Sequence, residues 1–175
     1  MAKPQVGIII GSDSDLEVMK DSSTVLTDLG IENEIQVLST HRAPEDTAIY
    51  AKSAKTRGVK VIIAGAGGAA ALPGSIASLT TLPVIGVPVE TKALGGIDSL
   101  FSIISMPPGV PVAAVGINSA KNAGLLAAQI IGVADPKVAQ RLQQYKQSIK
   151  KEVLAKNEKI KSIGWKKYLQ EKLSK

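Results

Sequence analysis

The sequence predicts a three-layer α/β fold, a doubly wound parallel sheet with helices on both faces, extended by a long C-terminal helix. Three observations predict it. Short, almost purely apolar runs recur along the chain, as in strands buried on both faces. Each run ends in a break rich in Gly, Ser, Asp or Pro, and most breaks lead into helical apolar spacing. Strands separated by helices of this length pair in parallel through right-handed crossovers.

The elements follow in order. Residues 6–10, "VGIII", form the first strand, and "GSDSD" breaks it. From 16 to 29 the apolar residues Leu16, Met19, Leu26 and Leu29 make a helix stripe that Gly30 closes. Residues 35–38 read as a second strand. Pro44 suits a first helical position, with Glu45 and Asp46 favourable at the positive end of the helix dipole, and that helix stops at Gly58. Residues 59–64 read as a third strand, 65–68 as a glycine loop and 69–78 as a small-residue helix. Residues 83–87 form a fourth strand and 88–97 a loop; Asp98 is placed to cap a short helix to Met106. Residues 112–117 form a fifth strand, and Asn118 or Ser119 caps a helix to about Ile131. Asp135-Pro136 starts a long helix in which Val138, Leu142, Tyr145, Ile149 and Val153 form a stripe, and Gly164-Trp165 interrupts it. The sum is a sheet of flavodoxin or Rossmann type.

Composition narrows the chemistry. A chain of 175 residues, 45% hydrophobic and 21% charged, fits one globular domain. It has no cysteine and a single histidine, His41, so thiolate chemistry, disulfides and cysteine-ligated metals are excluded. No apolar run approaches the roughly 20 residues of a membrane helix. The N-terminus lacks the shape of a signal peptide, so a cytoplasmic protein without a transition metal is expected. Residues 137–175 carry 12 Lys or Arg against 3 Asp or Glu, while residues 1–136 carry 9 against 12. The basic character thus belongs to a C-terminal helical extension, 137–175, of the α/β body, 1–136. Such a segment suits either a nucleic-acid contact or a solvated lysine face; the latter is the simpler reading, and aromatics at 3% argue against nucleic-acid binding by stacking.

In parallel sheets, ligands sit beyond the carboxyl ends of the strands. The loops 11–15, 39–44 and 65–68 all follow strands and so open on one edge. In "GSDSD", free N–H groups at a helix start attract anions, with Ser12 and Ser14 adding hydroxyls and Asp15 suited to sugar hydroxyls. A capping box over 12–15 is the competing structural reading. Gly65-x-Gly67-x-x-Ala70 formally matches a dinucleotide fingerprint, but it follows the third strand, so close backbone approach to a ligand or tight packing explains it better. In "STHRAP", Arg42 offers an anion a fork of donors. His41 is the strongest candidate for acid–base chemistry near neutrality.

Taken together, "GSDSD", "STHRAPE", "AGAGGAAALPG", "PVIGVPV", "GIDSLFSIISMPPGVPVAAVGI" and "NAGLLAAQI" resemble the PurE family in its class I form, the N5-carboxyaminoimidazole ribonucleotide mutases of purine synthesis. The resemblance runs from about Val6 into the C-terminal helix. It implies a homo-octamer whose C-terminal helices pack on neighbouring subunits, and a reaction without metal, ATP or organic cofactor. The substrate's carbamate loses CO2, and ring carbon C4 recaptures it. Carried over position by position, the resemblance makes His41 the acid–base residue and Ser12, Asp15 and Arg42 substrate contacts. Ser14, Ser39, Gly67, Gly68 and Leu72 line the same pocket. Four positions depart from the family pattern: Thr40 for Ala, Ala71 for His, Ser75 for Met and Ser105 for Gln. They motivate two competing readings: a related carboxylase or decarboxylase acting on another nucleotide, and a non-catalytic nucleotide-binding paralogue.

Overall fold

The computed structural model describes residues 3–173. Its strands are β1 (Val6–Ile10), β2 (Asn33–Val37), β3 (Val61–Gly67), β4 (Val84–Val89) and β5 (Ala113–Ala114). All pair in parallel in the order β2-β1-β3-β4-β5. The helices are α1 (Leu16–Asp28), α2 (Pro44–Arg57), α3 (Leu72–Ala77), α4 (Ile97–Ile104), α5 (Ala120–Gly132), α6 (Pro136–Ile163) and α7 (Trp165–Leu173). The chain winds one way from β1 to β2 and the other way from β3 onward. A switch point therefore lies between β1 and β3, where the loops leaving these strands diverge and leave a crevice.

Alternation along β1 divides the core. Val6, Ile8 and Ile10 pack under α1 and α5, and Ile9 packs under α2 and α3 on the other face. That is why the strand reads as an unbroken apolar run. Helices α1 and α5 touch at Gly124: a Cβ there would lie 2.5 Å from Val25 Cγ1 and 2.9 Å from the Ser22 carbonyl oxygen. The approach lets the buried Ser22 hydroxyl donate to the Ala120 carbonyl at 2.6 Å.

Under the other face, Glu34 of β2 accepts from Tyr50 (2.8 Å) and Arg57 (2.7 Å) of α2. The Arg57 guanidinium lies 4.5 Å from the centre of the Tyr50 ring. Helix α6 starts where expected: the Asp135 carboxylate accepts from the N–H groups of Lys137 and Val138. Arg141 ties it to the body by donating to the Leu29 carbonyl at 2.7 Å. Beyond Tyr145, α6 lies almost wholly in solvent, and α7 folds back on it through Lys159–Glu171 at 2.6 Å.

Several sequence expectations need correction. Residues 65–67 are strand rather than loop, because β4 pairs with β3 as far as Gly67↔Val89. Helix α3 starts at Leu72, not Ala69, because Gly68 (φ 67°) and Ala70 (φ 40°) turn the chain first. Asp98 does not cap α4. Gly96 in the left-handed region precedes that helix, and Asp98 accepts the Thr91 hydroxyl instead. Neither Asn118 nor Ser119 makes a side-chain cap for α5; the Asn118 side-chain amide instead accepts the Glu90 backbone N–H and donates to the Glu90 carboxylate. The fifth strand shrinks to two residues at the exposed sheet edge.

Candidate functional site

The crevice at the switch point holds a pocket of about 440 Å³, lined by Gly11, Ser12, Ser14, Asp15, Ser39, Thr40, His41, Arg42, Ala66, Gly67, Ala70, Ala71 and Leu72. The volume suits a nucleotide-sized ligand. Loops after β1, β2 and β3 each supply one wall, so three segments far apart in sequence converge on one edge of the sheet, as the strand–loop pattern requires.

The first wall is a tight turn. Ser12 stands in extended backbone before a single 3-10 turn, Asp13–Asp15, and its hydroxyl accepts from the Ser14 N–H at 3.4 Å. The Ser14 hydroxyl lies 2.9 Å from that of Ser12 and 3.3 Å from the Asp15 carboxylate; its one proton serves one of them at a time. The capping reading of this turn therefore holds in part, through the Ser12 hydroxyl and the Ser14 N–H. Burial pushes the Asp15 carboxyl above its ordinary value, partly offset by hydrogen bonds from the Ser14 side chain and the Ser12 backbone. A ligand hydroxyl donating to this carboxylate would favour its ionised form.

The second wall is joined to the first by Arg42. Its guanidinium donates to the Gly11 carbonyl at 2.7 Å, and its Nε donates to the Ser39 hydroxyl at 3.3 Å. These bonds spend part of the fork and leave donors for an anion beside the Ser12 turn. The Ser39 carbonyl accepts from Ala43 at 2.7 Å and from Arg42 at 3.2 Å, which winds the loop into the start of α2. His41 rides on this turn, solvent-exposed on its outer side and lining the pocket on its inner side.

The third wall is small and apolar: Ala66, Gly67, Ala70, Ala71 and Leu72, with Ala66, Ala70 and Leu72 buried. Seven of the nearby predicted residues meet here around His41: Ser12, Ser14, Asp15, Ser39, Arg42, Gly67 and Leu72. Gly68 does not line the pocket. Its N–H donates to Ser99 at 2.9 Å, and its carbonyl accepts from Ser102 at 3.3 Å. Ala66 lines the pocket but was not singled out in the sequence; reading β3 to its true end at Gly67 would have pointed to it. Of the four departures, Thr40 and Ala71 line the pocket, while Ser75 lies within α3 and Ser105 ends α4. Among the described residues no group of three His, Asp or Glu side chains is placed to hold a metal ion.

Comparison with known proteins agrees with this geometry. A family model described as AIR carboxylase matches residues 5–152. The N5-carboxyaminoimidazole ribonucleotide mutase of Thermotoga maritima is 57% identical over 169 residues, covering 97% of this chain and 99% of that protein. The mutase of the same name from Pyrococcus horikoshii is 54% identical, covering 97% of this chain and 96% of that protein. The crystal structure of Treponema denticola PurE superposes with a TM-score of 0.83 at 30% identity, covering 90% of this chain and 99% of that one.

Proposed function

The chain belongs to the AIR carboxylase family, in its class I PurE form, and on that premise we propose that it isomerises N5-carboxyaminoimidazole ribonucleotide to 4-carboxy-5-aminoimidazole ribonucleotide. The observation that carries the reading is the convergence of the chain's one imidazole, the Ser12–Asp15 turn and the Arg42 fork on a pocket with a small apolar wall. Near-complete coverage by relatives named as mutases favours this over the same fold working on another nucleotide. It likewise disfavours a non-catalytic paralogue.

Ser12, Ser14 and the free donors of Arg42 hold the phosphate, and the Asp15 carboxylate accepts ribose hydroxyls. The base then lies against Ala70, Ala71 and Leu72. Protonation of the carbamate nitrogen by His41 breaks its bond to carbon and releases CO2, leaving aminoimidazole ribonucleotide. The apolar wall keeps CO2 close and water out. The C4 carbon attacks CO2, and His41, now neutral, takes the C4 proton, so the proton given at the start returns at the end. Holding CO2 beside C4 replaces a bimolecular encounter, an advantage of several kcal/mol or more.

The catalysis needs neither metal nor organic cofactor, and a cytoplasmic location fits a purine-synthesis enzyme; no described helix is long and apolar enough to cross a membrane. The assembly is a homo-octamer in which the extension 137–175 packs on a neighbouring subunit. Exposed Val153, Leu154, Trp165 and Leu173 support this, being left without an apolar partner on their own chain's core. The deciding experiment follows conversion of the carbamate substrate spectroscopically in the parent and in His41→Asn. The parent should turn over, and the variant should lose at least about 1,000-fold in kcat while still gaining thermal stability from aminoimidazole ribonucleotide. Turnover by His41→Asn at the parental rate would overturn the mechanism.

A further inference from the structure

Ser99 has no contact with the pocket, yet it holds the wall of the pocket in place. It lies on α4 and is fully buried. Its hydroxyl donates to the Val89 carbonyl at 2.7 Å and accepts the Gly68 N–H at 2.9 Å. The one proton is committed to Val89, so the lone pair faces Gly68. Val89 and Gly67 are the last paired residues of the β3–β4 ladder. The hydroxyl therefore sits between a strand-end donor and a strand-end acceptor at the point where the chain leaves the sheet through Gly68, at φ 67°.

That bond orients more than one atom. The Gly68 N–H and the Gly67 carbonyl belong to one planar trans peptide and point in opposite directions. Fixing the first fixes the second, and the Gly67 carbonyl accepts the Ala70 N–H at 3.3 Å to close the turn. The Ser102 hydroxyl, one helical turn further along α4, donates to the Gly68 carbonyl at 3.3 Å and sets the following peptide. Ala70 emerges at φ 40°, in a region an alanine enters only when its surroundings impose it. Helix α4 is itself anchored at its start by the Thr91 hydroxyl, which lies 2.9 Å and 3.0 Å from the two carboxylate oxygens of Asp98. The chain of constraint runs from β4 through Ser99 to Gly67, Ala70 and Ala71.

We infer that Ser99, with Ser102 behind it, is a positioning residue for the reaction: it fixes the Gly67–Leu72 wall against which the base and the released CO2 are held. The inference rests on the mutase reading. The phosphate and ribose contacts come from the other two walls, so loosening this one impairs the chemical step more than binding.

The test compares the parent, Ser99→Ala, Ser102→Ala and Ile103→Val. The last is a buried α4 change that spares both Gly68 bonds and controls for loss of packing. Amide hydrogen exchange is read across residues 67–72, and kcat and KM are measured well below each melting temperature. In Ser99→Ala, exchange at 67–72 should accelerate while β1 and α1 stay protected. Its kcat should fall about 10- to 100-fold with KM within about threefold of the parent. Ser102→Ala should show both effects more weakly, and Ile103→Val neither. Unchanged exchange at 67–72 in Ser99→Ala, or kcat within twofold of the parent, overturns the inference. If Ser99→Ala fails to fold, Ser102→Ala decides in the same way. A parent without turnover overturns the mutase reading and the role in chemistry with it, and the exchange data then decide the role in holding the wall.

Discussion

Burial at the pocket holds the Asp15 carboxyl above its ordinary value, against the pull of its hydrogen bonds to Ser14 and Ser12. The folded chain thus favours the protonated form more than the unfolded chain does. That preference stabilises the fold below the unfolded value, 3.8, and is lost as pH rises through the folded value. At neutral pH the ionised carboxylate is a burden on the empty protein, and substrate hydroxyls relieve it. Asp15→Asn should therefore raise the melting temperature of the unliganded protein at pH 7 by about 1–2 °C, since the group is partly screened by solvent. The gain should shrink as the pH is lowered toward 4. The same variant should bind aminoimidazole ribonucleotide about 10- to 100-fold more weakly, the worth of a lost charge-assisted hydrogen bond. Scanning calorimetry at two pH values and titration calorimetry check the two halves; loss of stability at neutral pH would contradict the first.

Among the elements, β2 and α2 are joined by a pH-sensitive contact. Burial pushes the Glu34 carboxyl up, but hydrogen bonds from Arg57 and Tyr50, together with the guanidinium charge, outweigh it and leave it below its ordinary value. Burial and the neighbouring Glu34 push the Tyr50 phenol well up, so it remains a donor throughout. A depressed carboxyl contributes stability above its unfolded value of 4.5, and that stability is lost as pH falls through the folded value. Glu34→Gln should cost about 1–2 kcal/mol at pH 7, discounted for partial exposure, and should flatten the acid limb of the stability curve between about pH 5 and 3. Urea unfolding at fixed protomer concentration measures both. None of this was visible in the sequence, because Glu34, Tyr50 and Arg57 meet only once β2 lies beside β1 and α2 crosses beneath it. What was legible followed local rules: the apolar run of β1, Pro44 and Gly58 bounding α2, Asp135 capping α6. What was not legible was set by distant partners. Gly65 and Gly67 have poor strand propensity, but β4 pairs with them, and Met19 fills the space at Gly65, where a Cβ would lie 2.6 Å from its sulfur. The apolar stretch 112–117 promised a full strand, yet at the sheet edge only Ala113 and Ala114 pair. The site was legible loop by loop, because strand–break–helix order alone places those loops on one edge. The displacement of Gly68 toward Ser99 was hidden for the same reason as the true end of β3.

For the whole molecule, the unbalanced part is the C-terminal arm. At 28 residues α6 is about 40 Å long, more than the width of a small domain, so it extends beyond the body that its first turns pack against. Val138, Leu142, Tyr145 and the Arg141 bond anchor its root. Further out, Val153 is 64% exposed, Trp165 64% and Leu173 79%. An apolar stripe of this size left in water is a cost that a partner surface removes. The partner's charge is also indicated: residues 137–175 are strongly basic, whereas residues 1–136 carry more acidic than basic side chains, so another copy's body complements the arm. Ending the chain after Lys150 keeps the anchored root and removes the distal part of α6 and all of α7. The trimmed protein should still unfold cooperatively, because both core clusters remain whole. Its mass by light scattering should drop below that of the full-length assembly, or the assembly should dissociate at protein concentrations where the full chain remains associated. If the trimmed chain keeps the parental mass at every concentration, the arm does not bridge subunits. The exposed apolar face of α4, where Ile97, Phe101 and Ile104 recur, would then be the surface left to hold the copies together.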